Sequence, residues 1–267
     1  VHRFVNEWEK AASLDLRHGR TEAIDTYAER GRITGGDTEA MIDAAYTAWR
    51  NDTLSGNATV LISDSNESVH ALNQRARADL ILDGTVDARR EVALQGDARA
   101  GVGDTIITRK NDRRLRTPRG WVRNGDRWMV TDIRDDGSLT ARRANSRGTV
   151  VLPAGYVSDH VDLGYAVTAH RAQGITTDTS HVLADPSTTR ENLYAAMTRG
   201  RHANLVYVAT DRPDDSHTTP HPADDLDATA RSVLYGVLQH VGAELSAHET
   251  ITAEHEQWGS VAQLAAE

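Results

Sequence analysis

Residues 163–208, LGYAVTAHRAQGITTDTSHVLADPSTTRENLYAAMTRGRHANLVYV, constrain the fold more than any other stretch of the chain. Two polar signatures, Thr168-Ala-His-Arg-Ala-Gln-Gly174 and Tyr194-Ala-Ala-Met-Thr-Arg-Gly-Arg201, each interrupt a hydrophobic pattern beside a predicted strand. The apolar approach Tyr165-Ala-Val leads into the first, which ends on Gly174, a residue that lets backbone pass close to a ligand or a neighbouring element. A strand is predicted over 180–183. Thr188 and Glu191 then have capping-box spacing for a helix whose apolar stripe is Leu193, Tyr194 and Met197 and which Gly200 stops. A second strand follows over 205–209. Strand, helix and strand in that order predict a parallel α/β unit with a polar site at the rim of its sheet. Arg199 falls in the last turn of the helix, and a guanidinium fixed there suits anionic oxygens, because its planar donor fork meets phosphate or carboxylate two atoms at a time.

The rest of the chain supplies elements of the same kind around a different insert. Residues 2–18 predict an amphipathic helix with Phe4, Trp8, Ala11, Ala12 and Leu16 near one face and Gly19 past its end. A helix over 37–50 carries Met41, Ile42, Ala45 and Trp49 on one stripe. Residues 58–62, ATVLI, read as a buried strand. Asp64 and Glu67 have capping-box spacing for a helix through Leu80, with Val69, Leu72, Ala76 and Leu80 inward. Over 101–153 the hydrophobic period changes to two, in short strands separated by Asn124-Gly125, Asp136-Gly137 and Gly148. Four or five such strands predict a small β-barrel inserted between the halves of an α/β domain.

Composition sets limits. The chain has 267 residues, 39% of them hydrophobic, enough for one large or two small domains. No apolar run nears the ~18 residues of a membrane span, so no membrane partner is expected. The absence of cysteine excludes disulfides and zinc-thiolate sites, and the expected compartment is the cytoplasm. Residues 213–267 hold ten acids against Arg231 alone, a net charge of −9, whereas 99–147 hold thirteen bases against six acids, a net of +7. Such a basic island reads either as an attractor of phosphate backbones or as the solvated face of a β-rich module. His217 and His221 sit in a linker without carboxylates at ordered spacing, so no metal site is predicted. A helix is predicted over 228–246.

The two signatures, YAVTAHRAQG and LYAAMTRGR, resemble motifs V and VI of superfamily 1 DNA helicases in the RecD-like branch, which run roughly YAxTxHKxQG and LYxAxTRAR. The chain departs from that pattern at Arg171 and Gly200. GDTIITRKN and NGDRWMVTDI resemble pieces of the SH3-like barrel inserted in the second motor domain of that branch. The loop arginine and the helix ending Arg17-His-Gly19 resemble motif IV, and the whole looks most like the helicase part of actinobacterial MobF-type conjugative relaxases.

That resemblance implies an α/β fold: a RecA-like motor domain of the P-loop NTPase type, over 1–97 and 154–212, lacking a P-loop of its own, with an SH3-like barrel over 98–153 and an acidic linker and helical extension over 213–267. It implies roles as well. Arg199 would reach the γ-phosphate of ATP; Arg3 is either a second such contact or a surface arginine. Gln173 and Gly174 would line the same cleft. Thr168 and His170 would touch the backbone of single-stranded DNA, Arg171 would serve either purpose, and Asn66 is a DNA contact or a plain helix-start residue. Tyr194 is expected in the core. ATP and Mg²⁺ would be held mainly by a first RecA-like motor domain of the same polypeptide, because G-x-x-x-x-G-K-[ST] occurs nowhere in this sequence. The chain opens on Val1 and the family carries its P-loop domain upstream of motif IV. The expectation is therefore a C-terminal motor fragment, inactive by itself, of a helicase that moves 5′ to 3′ in conjugative transfer. A different class of protein, a helicase-derived nucleic-acid-binding or structural module without ATPase activity, would fit the basic barrel.

Overall fold

The computed structural model describes residues 4–117, 120–143, 148–211 and 229–242. The chain begins with α1 (Glu7–Arg17), α2 (Glu22–Glu29), β1 (Ile33–Gly36), α3 (Thr38–Leu54), β2 (Thr59–Ser63) and α4 (Asn66–Leu82). It then turns to β structure: β3 (Asp87–Ala93), β4 (Arg99–Val102), β5 (Thr105–Thr108), β6 (Asp112–Thr117), β7 (Gly120–Val122), β8 (Arg127–Ile133), β9 (Leu139–Arg142) and β10 (Thr149–Leu152). After α5 (Ala154–His160) and β11 (Val161–Leu163), the α/β pattern resumes with β12 (Ala166–Thr168), α6 (Ala169–Ala172), β13 (Thr177–Ala184), α7 (Arg190–Ala196), β14 (Gly200–Ala209) and α8 (Ala230–Gln239).

Five parallel strands form the central sheet in the order β1-β14-β13-β2-β12. Burial on both faces is why β2 reads as a continuous apolar run instead of an alternating one. Leu61 packs into the core shared with α3 and α4, while Val60 and Ile62 enter the opposite core with Leu16, Ile24, Leu193 and Leu234. The last of these lies on α8, so the tail helix closes over the second face.

Several helix starts differ from expectation by one residue. Ser65, not Asp64, caps α4 by accepting from Ser68 N, and Thr189, not Thr188, caps α7 by accepting from Asn192 N. Both have the extended backbone that a cap requires. Thr188 instead accepts from Asp185 N, and Asp64 turns inward, where burial raises its pKa against hydrogen bonds from Thr188 and Asn192. In α1 it is Ala11 that is exposed, while Glu9, Ala12, Ser13 and Leu16 are buried.

The insert is a five-stranded antiparallel sheet, β10-β9-β8-β5-β11, with the two-stranded ribbons β3–β4 and β6–β7. Because β11 pairs with β5, its sheet continues past residue 153 to Leu163. A buried polar hub joins it to the α/β layer. Asp104 accepts from Tyr165 Oη at 2.5 Å, Gly101 N at 2.7 Å and Arg77 Nε at 3.0 Å. Asn73 of α4 holds β12 from the other side, accepting from Tyr165 N and Ala166 N and donating to Ala166 O.

Candidate functional site

The two signatures occupy connected parts of the sheet. β12 ends on Thr168, paired with Ser63 of β2, and Thr168 caps α6 by accepting from Arg171 N at 3.4 Å. This single helical turn heads back toward the beginning of β13, where Thr177 pairs with Gly200 of β14. Arg199 stands just before that strand. Its Nη1 donates to Ala172 O at the end of α6 (3.2 Å) and its Nη2 to Thr198 Oγ1 (2.5 Å). The placement corrects the expected one: α7 stops at Ala196, Met197 is its cap, and Gly200 opens a strand rather than ending a helix. Gly200 is tight, since a Cβ there would lie 2.1 Å from Ala203 O, which accounts for glycine where the resembled pattern has alanine.

Arg199 borders a cavity of about 410 Å³ whose other walls are Arg17, Gln173, Arg190, Glu191, Tyr194 and Ala195. Three guanidinium-bearing residues from the end of α1, the start of α7 and the lead into β14 line it with one carboxylate among the described residues. That carboxylate is engaged elsewhere: Glu191 accepts from Gly242 N at 3.0 Å and lies 3.5 Å from Arg190 Nη2. Burial would raise its pKa, but the backbone N–H bonds and Arg190 hold it below the ordinary range. The cavity is therefore a cationic pocket with an amide and an aromatic ring, suited to a polyanion.

Of the residues singled out from sequence, Arg199 and Gln173 meet at this cavity. Gly174 follows Gln173 and is exposed; its φ of +89° demands glycine, and a Cβ there would meet nothing within 4 Å, so no neighbouring element among the described residues packs against it. Tyr194 packs partly against the core and also lines the cavity. Thr168 and the exposed His170 lie at the other end, where β12 finishes, and Asn66 is exposed just beyond the end of the neighbouring β2. Arg171 is 4.0 Å from Asp162 of β11, and that carboxylate also pairs with Arg109. Burial, then repulsion from Arg109, lowers the Arg171 pKa against the pull of Asp162. Arg171 thus belongs to the joint between the barrel and the α/β layer and does not line the arginine cavity. Arg3 lies outside the described residues, as do His217 and His221. Arg17 and Arg190 had no assigned role in the sequence reading; only the packing of α1 against α7 brings them in.

Comparison with known proteins places this arrangement. The "Probable conjugal transfer protein TraA" of Sinorhizobium fredii (strain NBRC 101917 / NGR234) is 32% identical over 210 residues, covering 78% of this chain and 19% of that protein. "Conjugal transfer protein TraA" of Rhizobium radiobacter is 30% identical over 213 residues, 79% and 19% respectively. This chain is homologous to one segment of the TraA conjugal transfer proteins. It spans about a fifth of their length. The family of the Rv2311 SH3-like barrel domain matches residues 92–162. The crystal structure of Pif1 helicase from Bacteroides in complex with ADP-AlF3 and ssDNA has a TM-score of 0.50 and 16% identity, covering 77% of this chain and 50% of that one. The likeness identifies the parallel layer as RecA-like, and with the SH3-like insert the fold is the one expected from sequence.

In this chain the basic island is less basic than its composition. Arg109, Arg114 and Arg143 pair with Asp162, Asp112 and Asp126, Arg99 lies 3.8 Å from Glu91, and Arg127 donates to Thr59 O of β2. Arg113, Arg116 and Arg123 on and beside the β6–β7 ribbon are exposed and have no carboxylate partner among the described residues. Arg113 and Arg123 lie over the Trp121 ring at 5.4 and 5.0 Å, which holds two guanidiniums at the ribbon without neutralising them.

Proposed function

We propose that this chain is the second motor domain of an ATP-dependent DNA helicase acting in conjugative DNA transfer. The arginine cavity carries the reading: the buried Arg199 lines it together with Gln173, Arg17 and Arg190, and the carboxylate among its described lining residues, Glu191, is engaged by Gly242 N and Arg190. The motor would comprise the parallel layer and its helices, the barrel the insert through β11, and 213–267 an acidic linker and extension. ATP supplies the phosphoryl group, and its phosphates with Mg²⁺ would be held by a first RecA-like motor domain of the same polypeptide. This chain contributes no P-loop, and Glu191 is spent on Gly242 and Arg190. Arg199, joined by Arg17 and Arg190, neutralises charge that develops on the terminal phosphate, and Gln173 reports its presence. The chain by itself does not hydrolyse ATP.

The same polypeptide turn couples that event to DNA. α6 has Ala172 O on the Arg199 guanidinium and Thr168 at its cap, so a change at the cavity is felt at Thr168 and His170. Those residues, with Asn66 beside them, hold the strand backbone, and stepwise closure of the two motor domains moves the protein 5′ to 3′. A nucleic-acid-binding module without a motor is favoured by one observation, the exposed arginines around Trp121. Strand displacement distinguishes the two. A protein joining this chain to a P-loop motor domain should displace the partner of a 5′-tailed strand, using ATP, and lose that activity with Arg199→Ala. Displacement that persists in the variant, or that occurs only on 3′-tailed duplexes, contradicts the assignment.

A further inference from the structure

The turn that follows Arg199 is governed by two buried side chains that the scheme above leaves unused. Asn204 is fully buried. Its Oδ1 accepts from Gly200 N and from Ser180 Oγ, both at 2.7 Å, and its Nδ2 donates to Gly200 O at 3.1 Å and to Glu9 Oε1 at 2.7 Å. Glu9, on α1, is also fully buried and accepts from Asn204 N at 3.2 Å. The lead into α1 grips the same turn from outside: Val5 N donates to Arg201 O and Asn6 Nδ2 to His202 O, each at 2.9 Å. The helix so fastened ends on Arg17, which lines the same cavity as Arg199.

A carboxylate is a costly choice for this position. On the buried face of α1 it stands with Ala12, Leu16 and the hydroxyl of Ser13, which is satisfied by Lys10 O, and an apolar side chain would fill the space without desolvating a charge. Glu9 Oε2 has no hydrogen-bond partner among the described residues, and burial raises the carboxyl pKa against the hydrogen bonds from Asn204 and the pull of Arg32. What the carboxylate provides that an apolar group cannot is an acceptor for Asn204. Asn204 then fixes both the N–H and the C=O of Gly200, at a position where a Cβ would lie 2.1 Å from Ala203 O and only glycine fits.

We propose that Glu9 is a positioning residue: through Asn204 it locks the turn 200–204 and so fixes Arg199 relative to Arg17 in the cavity that both line. The inference rests on the reading of that cavity as a phosphate site, and the test separates the two. Binding of tripolyphosphate to this chain and hydrogen exchange at the Gly200 amide are measured for wild type, Glu9→Gln, Glu9→Ala and Arg199→Ala. Glu9→Gln keeps an acceptor for Asn204 and should match wild type in both. Glu9→Ala should speed Gly200 exchange by about tenfold or more and weaken tripolyphosphate by about threefold, with the protection of β2 and β13 retained. Arg199→Ala should weaken binding by about tenfold and leave Gly200 exchange alone. Wild-type exchange and affinity in Glu9→Ala overturn the positioning role while the phosphate reading stands. Failure to fold, or loss of protection across the whole sheet, makes Glu9 a residue of stability only and also overturns it. If Arg199→Ala binds normally, the phosphate reading falls, and Gly200 exchange alone decides whether Glu9 sets the turn.

Discussion

Removing the charges at Arg113 and Arg116 should change the salt dependence of single-strand binding by an amount that the ion pairing of the barrel sets. Each protein cation that neutralises a phosphate of a single strand contributes about −0.7 to the slope of log affinity against log salt. Composition alone would count Arg113, Arg114 and Arg116 equally. The structure does not, because Arg114 grips Asp112 through Nε at 3.1 Å and Nη2 at 2.8 Å, whereas Arg113 and Arg116 have no carboxylate partner among the described residues. The double change Arg113→Gln with Arg116→Gln should therefore flatten the slope by about 1.4, while Arg114→Gln changes it little. Between roughly 50 and 200 mM salt, a fourfold range, a slope difference of about 1.4 means that wild type loses about sevenfold more affinity than the double variant. Fluorescence anisotropy with a labelled oligothymidine across that range measures it. An unchanged slope in the double variant, or an Arg114→Gln effect as large as that of the pair, refutes the reasoning.

Three further outcomes follow from particular contacts. The chain alone should show no DNA-stimulated ATP hydrolysis; steady turnover by purified chain that disappears with Arg199→Ala would refute this. Asn73→Ala should destabilise the fold by about 2–4 kcal/mol in urea unfolding, since three buried hydrogen bonds to the Tyr165-Ala166 backbone go at once; a loss under about 1 kcal/mol would mean that β12 does not depend on them. His181 is buried, with Nε2 donating to Asp52 at 2.9 Å and Nδ1 accepting from Tyr207 Oη at 3.2 Å; burial lowers its pKa despite Asp52. The unfolded chain then takes up the proton first, so the contribution of His181 is complete above about pH 6.5 and falls as pH drops below it, by up to about 1.4 kcal/mol per pH unit. The stability gap between wild type and His181→Gln should shrink from pH 7.5 to 5.5, and a gap that holds or widens would show that the imidazole charges freely in the fold.

Much of the molecule was legible because its sequence signals are local. The apolar run of β2, the turn pairs of the barrel and the strand-helix-strand around Arg199 each announce themselves within a few residues. Resolution failed at single positions, where two threonines in a row, Thr188 and Thr189, offer the same capping chemistry and only backbone geometry decides. β1 was missed because the two β-branched residues Ile33 and Thr34 run straight into Gly35-Gly36, a pair that reads as a turn; it forms through backbone pairing with β14. Arg17 and Arg190 join the cavity through the packing of α1 on α7, and no spacing in the chain encodes that. Glu9 was hidden for a different reason, since a carboxylate beside an apolar stripe reads as a solvated residue until Asn204, 195 positions away, is placed against it.

The central claim is that phosphate chemistry and DNA grip are divided between the Arg199 cavity and the Thr168 end of the same segment. ATP turnover and strand affinity, measured together in a protein joining this chain to a P-loop motor domain, test it most directly. Arg199→Ala should lower turnover on the order of a thousandfold with DNA affinity nearly unchanged, and Arg199→Lys should not rescue, because lysine keeps the charge and loses the planar fork. His170→Ala should show the opposite bias, costing roughly 1 kcal/mol of DNA binding and leaving basal turnover intact. Near-normal turnover in Arg199→Ala, or basal turnover abolished by His170→Ala with DNA affinity preserved, would contradict the division.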